Sequence, residues 1–153
     1  MNRTIRKVAV LGSGIMGSRI ACHFANIGVE VLLLDIAPKE LNEEEKKKGL
    51  SLDSPAVKNR IVQGAFESTL KSNPAPLYNK RFASRIKLGN FTDDMAKIKD
   101  YDWTIEVVVE NLEIKKQVYT EVEKHRKPGT LITSNTSGIP IHLMAEGRSE
   151  DFQ

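Results

Sequence analysis

An unbroken apolar run, Val8-Ala9-Val10-Leu11, ends directly on Gly12-Ser13-Gly14-Ile15-Met16-Gly17, and nothing else in the chain constrains its fold as tightly. A short apolar segment stopped by glycine reads as a strand buried on both faces of a parallel sheet. The G-x-G-x-x-G opens a helix over 15–27, with Ile20, Phe24 and Ile27 at helical spacing and Gly28 as its stop. Residues 29–34 form a second buried strand, closed by Asp35. Strand, helix and strand within about 30 residues make a βαβ unit.

A glycine turn between strand and helix, with an acid at the end of the next strand, is the arrangement that receives a dinucleotide. Each residue in it has a physical task. Gly12 permits the tight turn, Gly14 lets a pyrophosphate approach the backbone, and Gly17 lets the helix pack on the strand. The N–H groups of Ile15 and Met16 point at the phosphates from the positive end of the helix. Asp35 accepts hydrogen bonds from the adenosine ribose hydroxyls and repels a 2′-phosphate. Ile36-Ala37-Pro38 offers no arginine to hold such a phosphate, so the expected cofactor is NAD rather than NADP.

The rest of the chain continues the alternation. Residues 36–84 read as a helical insertion between the second and third strands, far longer than an ordinary connection in such folds. Within it, 38–49 is a charged helix candidate. Ser54-Pro55 starts a second helix, with serine as cap and proline at the first position, and Asn73-Pro74 stops it after Leu70. The third strand is a weak one at 86–88, and Thr92-Asp93-Asp94 opens a short helix with Lys97 and Lys99 at its negative end. The strongest β signal, 103–109, is the fourth strand. Asn111 caps a helix whose Ile114, Val118 and Val122 follow i, i+4, i+8 spacing, and 130–133 is the fifth strand. One more helix and a polar tail follow Pro140. The whole reads as an α/β, Rossmann-type doubly wound parallel sheet, ordered 3-2-1-4-5, in one domain over 1–153.

Composition narrows the function. The net charge is only +3, and Glu43-Glu44-Glu45 runs straight into Lys46-Lys47-Lys48, a solvated face rather than a basic stripe. Nucleic-acid binding is not expected, because no cluster of bases interleaved with aromatics is present. No apolar stretch is long enough for a membrane span, and the polar start lacks the apolar core of a signal peptide. Cys22 is the only cysteine, which excludes an internal disulfide and fits a cytoplasmic protein. His23, His125 and His142 lie on separate elements without ligand spacing, so no metal site is expected.

Glu110 stands where the fourth strand is expected to end, and Ser134-Asn135-Thr136-Ser137 occupies the same edge after the fifth. Open α/β sheets bind ligands at that carboxyl edge. Position alone serves two readings equally. Glu110 and Ser137 line a nicotinamide pocket, or Glu110 and Asn111 cap a helix and Ser137 makes a turn. Lys115 reads by itself as a surface lysine paired with a carboxylate.

Three blocks together resolve the choice by resemblance. Residues 8–17, Glu106-Val107-Val108-Val109-Glu110-Asn111-Leu112 and Ser134-Asn135-Thr136-Ser137-Gly138 resemble the N-terminal domain of 3-hydroxyacyl-CoA dehydrogenases. Asn73-Pro74-Ala75-Pro76-Leu77 and Met144-Ala145-Glu146-Gly147-Arg148-Ser149 are similar to the long bacterial form, fused to an enoyl-CoA hydratase-like region. The resemblance implies that Asp35 binds the adenosine ribose and that Met16 and the edge Val108, Val109 and Glu110 line the cofactor. It implies that Lys115 and Ser137 reach the nicotinamide end, with Ser137 beside the substrate's 3-hydroxyl. The insertion corresponds to the family's CoA-facing arm, and acyl-CoA is the implied substrate. The family's catalytic histidine, followed by Phe-Phe-Asn-Pro, has no counterpart within these residues. It is expected beyond Gln153, with the helical domain that covers substrate and forms a homo-oligomer. The 153 residues alone are therefore expected to bind cofactor without turnover. The rival readings are a non-catalytic NAD-sensing module and a 3-hydroxyisobutyrate-type dehydrogenase, the latter disfavoured by the long insertion and the 134–138 block.

Overall fold

A computed structural model describes residues 4–152. Five parallel strands form one sheet: β1 (Lys7–Leu11), β2 (Glu30–Asp35), β3 (Ile86–Asn90), β4 (Trp103–Glu106) and β5 (Leu131–Ser134), in the order β3-β2-β1-β4-β5. This is the expected doubly wound order. β1 lies at the centre, with Val8 opposite Val31 on one side and Trp103 on the other. Its residues 8–11 are fully buried, as a strand covered on both faces requires.

Helix α1 (Ile15–Asn26) crosses from β1 to β2. Its buried face is Gly17, Ser18, Ala21, Cys22 and Ala25, while Ile20 and Phe24 pack only partly and Ile27 is exposed. The large apolar residues picked out by spacing are thus at the margin. The small ones let the helix backbone come close to the sheet. Gly28, at φ 91°, turns the chain out of the helix as its position predicts.

The insertion divides into two parts. Helix α2 (Glu43–Lys47) is much shorter than the charged segment around it, because Asn42 and Glu45 close a capping box that fixes its start. Glu45 also accepts from Arg60, at 2.8 Å. Helix α3 (Pro55–Lys58) begins with proline as expected, but the Ser54 side chain does not cap it; its Oγ instead accepts from the Ser51 N–H. Helix α4 (Arg60–Leu70) is no appendage. Val62 and Phe66 join Val8, Val31 and Ile86 in one core cluster, so α4 is the crossover helix between β2 and β3.

Helix α1 and α4 cover one face of the sheet. The other face is covered by a 3-10 segment (Met95–Asp100), which follows the short helix α5 (Phe91–Asp94), and by helix α6 (Leu112–His125). There Met95, Ile98, Val118 and Val122 pack on Ala9, Leu11, Leu32 and Leu34. Helix α7 (Ile141–Ala145) follows β5. The polar tail then folds back: Arg148 donates to the Lys116 carbonyl, Arg126 pairs with Asp151, and the Phe152 ring meets Tyr119 edge-on at 5.4 Å.

Two expectations are corrected here. Strand β4 stops at Glu106, not at 109. Glu106 is the last residue with a neighbour on each side, Leu11 of β1 and Ser134 of β5, and beyond it only the Val107 N–H still reaches β1, donating to the Leu11 carbonyl at 2.8 Å. The buried stripe of α6 is Lys115, Val118, Tyr119 and Val122, with Ile114 turned outward. Among the described residues, no helix is long and apolar enough to cross a membrane.

Candidate functional site

The carboxyl ends of β1, β4 and β5 frame an open cleft of about 400 Å³. Its floor is the glycine turn from Gly14 to Gly17, and its wall is the segment 107–110 with Asn135 and Ser137. The turn is held by backbone contact. The Gly12 N–H donates to the Leu34 carbonyl at 2.7 Å, and Gly12 has φ 111°, which side chains avoid. A β-carbon at Gly12 would lie 2.5 Å from the Val107 carbonyl oxygen, and one at Gly17 1.8 Å from that of Gly12. Gly14 differs from both: nothing lies within 4 Å of where its β-carbon would stand. The first glycine makes the turn, the third lets α1 dock, and the second leaves space.

That space faces a helix end without a protein partner. No side chain caps the N-terminus of α1, and its first turn contains no acid. Its leading N–H groups, Ile15 and Met16 among them, have no intrahelical acceptor and concentrate positive potential. An anionic group fits there, and the Ile15 and Met16 side chains stand exposed beside it.

Asp35 lies at the tip of β2. One carboxylate oxygen accepts from both the N–H and the hydroxyl of Ser13, and the other accepts from the Ile36 N–H at 2.7 Å. Each oxygen has further lone-pair capacity, so the carboxylate is oriented without being used up. Ser13, which sequence reasoning passed over, is almost fully buried and fixes this orientation.

On the other side of the turn stands a buried polar cluster that spacing did not reveal. Glu106 is fully buried at the end of β4. Lys115, which by itself reads as a surface residue and by resemblance reaches the nicotinamide end, is fully buried, with Nζ at 2.8 and 3.0 Å from the two Glu106 oxygens. The same ammonium lies 3.4 Å from Glu110 and 3.4 Å from the Val108 carbonyl. Ser134 donates to Glu106 at 2.5 Å, and the Tyr119 hydroxyl is 3.4 Å from it. Burial next to this carboxylate pushes the Tyr119 phenol well above its usual range. The signal for Glu106 was a charged residue inside the apolar run 103–109. An acid there is costly unless paired.

Glu110 leaves the strand behind and reaches across to the β5 loop. One oxygen accepts from the Thr136 hydroxyl at 2.6 Å, the Gly138 N–H at 2.9 Å and the Ser137 N–H at 3.2 Å. The Thr136 hydroxyl, those two backbone N–H groups and Lys115 hold its carboxyl down to about 2, so it stays ionised at neutral pH. It does not cap α6; the Asn111 side chain does, accepting from the Ile114 N–H. Val108 and Val109 line the cleft, Val109 largely exposed, and Ser137 stands on the facing loop. The structure thus brings Met16, Val108, Val109, Glu110 and Ser137 together on one cleft. It places Asp35 on the far side of the turn and Lys115 beneath the wall.

The remaining candidates fall away from the cleft. His23, His125 and His142 do not line it, and no cluster of metal-ligating side chains occurs among the described residues. Cys22 is packed in the core, where burial pushes its thiol up to about 11, so it is inert at neutral pH.

Comparison with known proteins adds independent findings. Residues 7–153 match the family described as "3-hydroxyacyl-CoA dehydrogenase, NAD binding domain". The chain is 56% identical over 153 residues to a Bacillus subtilis (strain 168) protein named as a probable 3-hydroxyacyl-CoA dehydrogenase, covering 100% of this chain and 19% of that one. It is 30% identical over 144 residues to a glyoxysomal fatty acid beta-oxidation multifunctional protein of Cucumis sativus, covering 94% of this chain and 18% of that protein. The crystal structure of 3-hydroxybutyryl-CoA dehydrogenase from Escherichia coli K12 superposes with a TM-score of 0.65 at 27% identity, covering 97% of this chain and 28% of that one. The chain therefore spans about a fifth of the length of these curated relatives.

Proposed function

The chain belongs to the NAD-binding domain family of 3-hydroxyacyl-CoA dehydrogenases, and from that premise we propose that it holds NAD for oxidation of an L-3-hydroxyacyl-CoA to the 3-ketoacyl-CoA in fatty acid beta-oxidation. The observation that carries this reading is the open face of Gly14 at an uncapped helix N-terminus, with an oriented carboxylate, Asp35, beside it. A pyrophosphate takes the N–H groups at Ile15 and Met16, and the adenosine ribose hydroxyls donate to Asp35. The other half of the dinucleotide then crosses to the wall formed by Val108, Val109, Glu110 and Ser137. NAD, when bound, supplies the hydride acceptor.

The protein's own residues bind, orient and polarise. Glu110, ionised and fixed to the Thr136 hydroxyl and the Ser137 and Gly138 N–H groups, shapes the cleft wall at the reacting end. Ser137 offers its hydroxyl to the substrate's 3-hydroxyl and holds it for deprotonation. Lys115 supplies positive charge from beneath. Removing the hydroxyl proton needs a base within about 2.6–3.2 Å, and none of the three histidines lines the cleft. We therefore place the base, the acyl-CoA-covering domain and the oligomer contacts outside residues 1–153, in a longer protein that also carries or associates with an enoyl-CoA hydratase. The Cucumis sativus relative, named as a multifunctional beta-oxidation protein and covered to 18% of its length, supports a longer protein with further activities.

Two titrations and one assay test the reading. The chain should bind NADH and discriminate against NADPH by calorimetry. It should form no NADH from NAD⁺ and 3-hydroxybutyryl-CoA by itself, while a version extended past Gln153 should. Failure of the chain to bind NADH sinks the cofactor reading. Turnover by the short chain sinks the placement of the base, and turnover by neither sinks the dehydrogenase.

A further inference from the structure

We propose that Glu106 is a positioning residue for the nicotinamide half of the crevice, holding the two loops that carry Glu110 and Ser137 in one fixed relation. The inference rests on the cofactor reading above. Its basis is where the bonds of one buried carboxylate end. One oxygen accepts from the Val108 N–H at 2.7 Å, on the loop that leads to Glu110. The other accepts from the Ser134 hydroxyl at 2.5 Å, at the root of the loop that carries Ser137. The Glu106 carbonyl takes the Asn135 N–H at 2.8 Å, a second tie to that loop. Both oxygens hold the Lys115 ammonium, which passes the connection on to Glu110 at 3.4 Å. Glu110 in turn closes the ring by accepting from the Ser137 and Gly138 N–H groups.

Chain stability alone gives no reason for this choice. A buried ion pair is often matched or exceeded in stability by apolar residues of the same volume, and the strand end could be filled by a valine or leucine. What an apolar filling lacks is direction. It would leave the Val108 N–H and the Ser134 hydroxyl without an acceptor, and the loops would lose their register against each other. Asp35 stands across the glycine turn, at the tip of β2, and its bonds to Ser13 and Ile36 include no member of this cluster, so the ribose contact at the adenosine end does not depend on Glu106.

That independence makes the test. NADH and ADP-ribose, which lacks the nicotinamide, are titrated calorimetrically into the 153-residue chain, into Glu106→Gln and into Ser134→Ala. Thermal unfolding of each protein is followed in parallel. Glu106→Gln keeps the shape and loses the charge that orients Lys115. Its NADH dissociation constant should rise about tenfold, while that for ADP-ribose should change less than about twofold. Ser134→Ala, which removes the hydroxyl tie between Glu106 and the β5 loop together with the acceptor of the Thr136 N–H, should show the same asymmetry to a smaller degree, and it carries the test if Glu106→Gln does not fold. Parallel loss of both ligands, or unchanged NADH binding in the folded variants, overturns the proposal and leaves Glu106 as a structural residue. Failure of the unmodified chain to bind NADH at all overturns instead the cofactor reading on which it rests.

Discussion

The Ser13 N–H and hydroxyl both donate to one oxygen of Asp35, so the acid at the tip of β2 is locked onto the glycine turn before any ligand arrives. This preorganisation means that the carboxylate need not be recruited on binding, and its direction is set by a residue buried in the turn itself. Asp35→Ala should weaken NADH binding by about 1–3 kcal/mol, the worth of lost hydrogen bonds to a charged group. The preference over NADPH should narrow in the same variant. Titration of both cofactors measures it, and equal or tighter NADPH binding by the unmodified chain would show that Asp35 does not set the choice.

The three glycines of the turn should separate into two behaviours. A methyl at Gly17 would stand 1.8 Å from a backbone oxygen that cannot swing away. Gly17→Ala should therefore lower stability by about 1–3 kcal/mol or prevent folding. Gly14→Ala meets no protein atom within 4 Å and has an ordinary negative φ of −54°, so its melting temperature should stay close to that of the unmodified chain. Its NADH affinity should nonetheless fall, because the methyl occupies the approach of the phosphates. A Gly14→Ala chain that binds NADH normally would remove the strongest support for the crevice as a dinucleotide site.

The Glu110 carboxyl gives a pH signature with a defined sign. Folding lowers its pKa from the usual 4.5 to about 2 through the Thr136 hydroxyl, the Gly138 and Ser137 N–H groups and Lys115. A carboxyl depressed in the folded state contributes stability that is fully present above 4.5 and is lost as the pH falls through about 2. The melting temperature of the unmodified chain should exceed that of Glu110→Gln by a constant margin from about pH 6 to 8, and the margin should close on acidification. Melting curves from neutral pH down through 4.5 to about 2 decide it. A margin that stays constant down to acid pH would mean that Glu110 works there by shape and not by charge.

Helix α4 makes a fourth prediction. Phe66 is largely buried against the same cluster as Val8 and Ile86. Phe66→Ala should destabilise the domain by about 3–5 kcal/mol in denaturant unfolding. A loss under about 1 kcal/mol would mean that the insertion is peripheral along its whole length.

Much of this could be read from spacing, and the failures share one cause. The central strands announced themselves because a strand covered on both faces must be apolar throughout, as at Val8 to Leu11. The turn was readable because glycine is needed where atoms come too close, at Gly12 and Gly17. The end of β4 was not, since Val107, Val108 and Val109 keep the composition of a strand after the ladder has run out. Their apolar character belongs to the wall of the cleft. The stripe of α6 went wrong for a related reason. Periodicity ranks Ile114 above Lys115 as an inward residue, and only tertiary pairing with the buried acid at Glu106 reverses that order. On α1 the sheet called for small residues, and the spacing of large ones pointed to the margin of the buried face.

The Glu106–Lys115 pair also limits how this sequence can change over generations. Loss of Glu106 leaves Lys115 only its longer contacts at 3.4 Å, and loss of Lys115 leaves the Glu106 charge buried without its counter-ion, a step that costs about 3–5 kcal/mol. Loss of both together is far milder, yet one-at-a-time substitution must pass through the costly intermediate first. The two positions are thus expected to change as a unit, each setting what the other tolerates. A library randomised at both should yield folded survivors in two separated groups, one ionic and one wholly uncharged, with few single replacements between them.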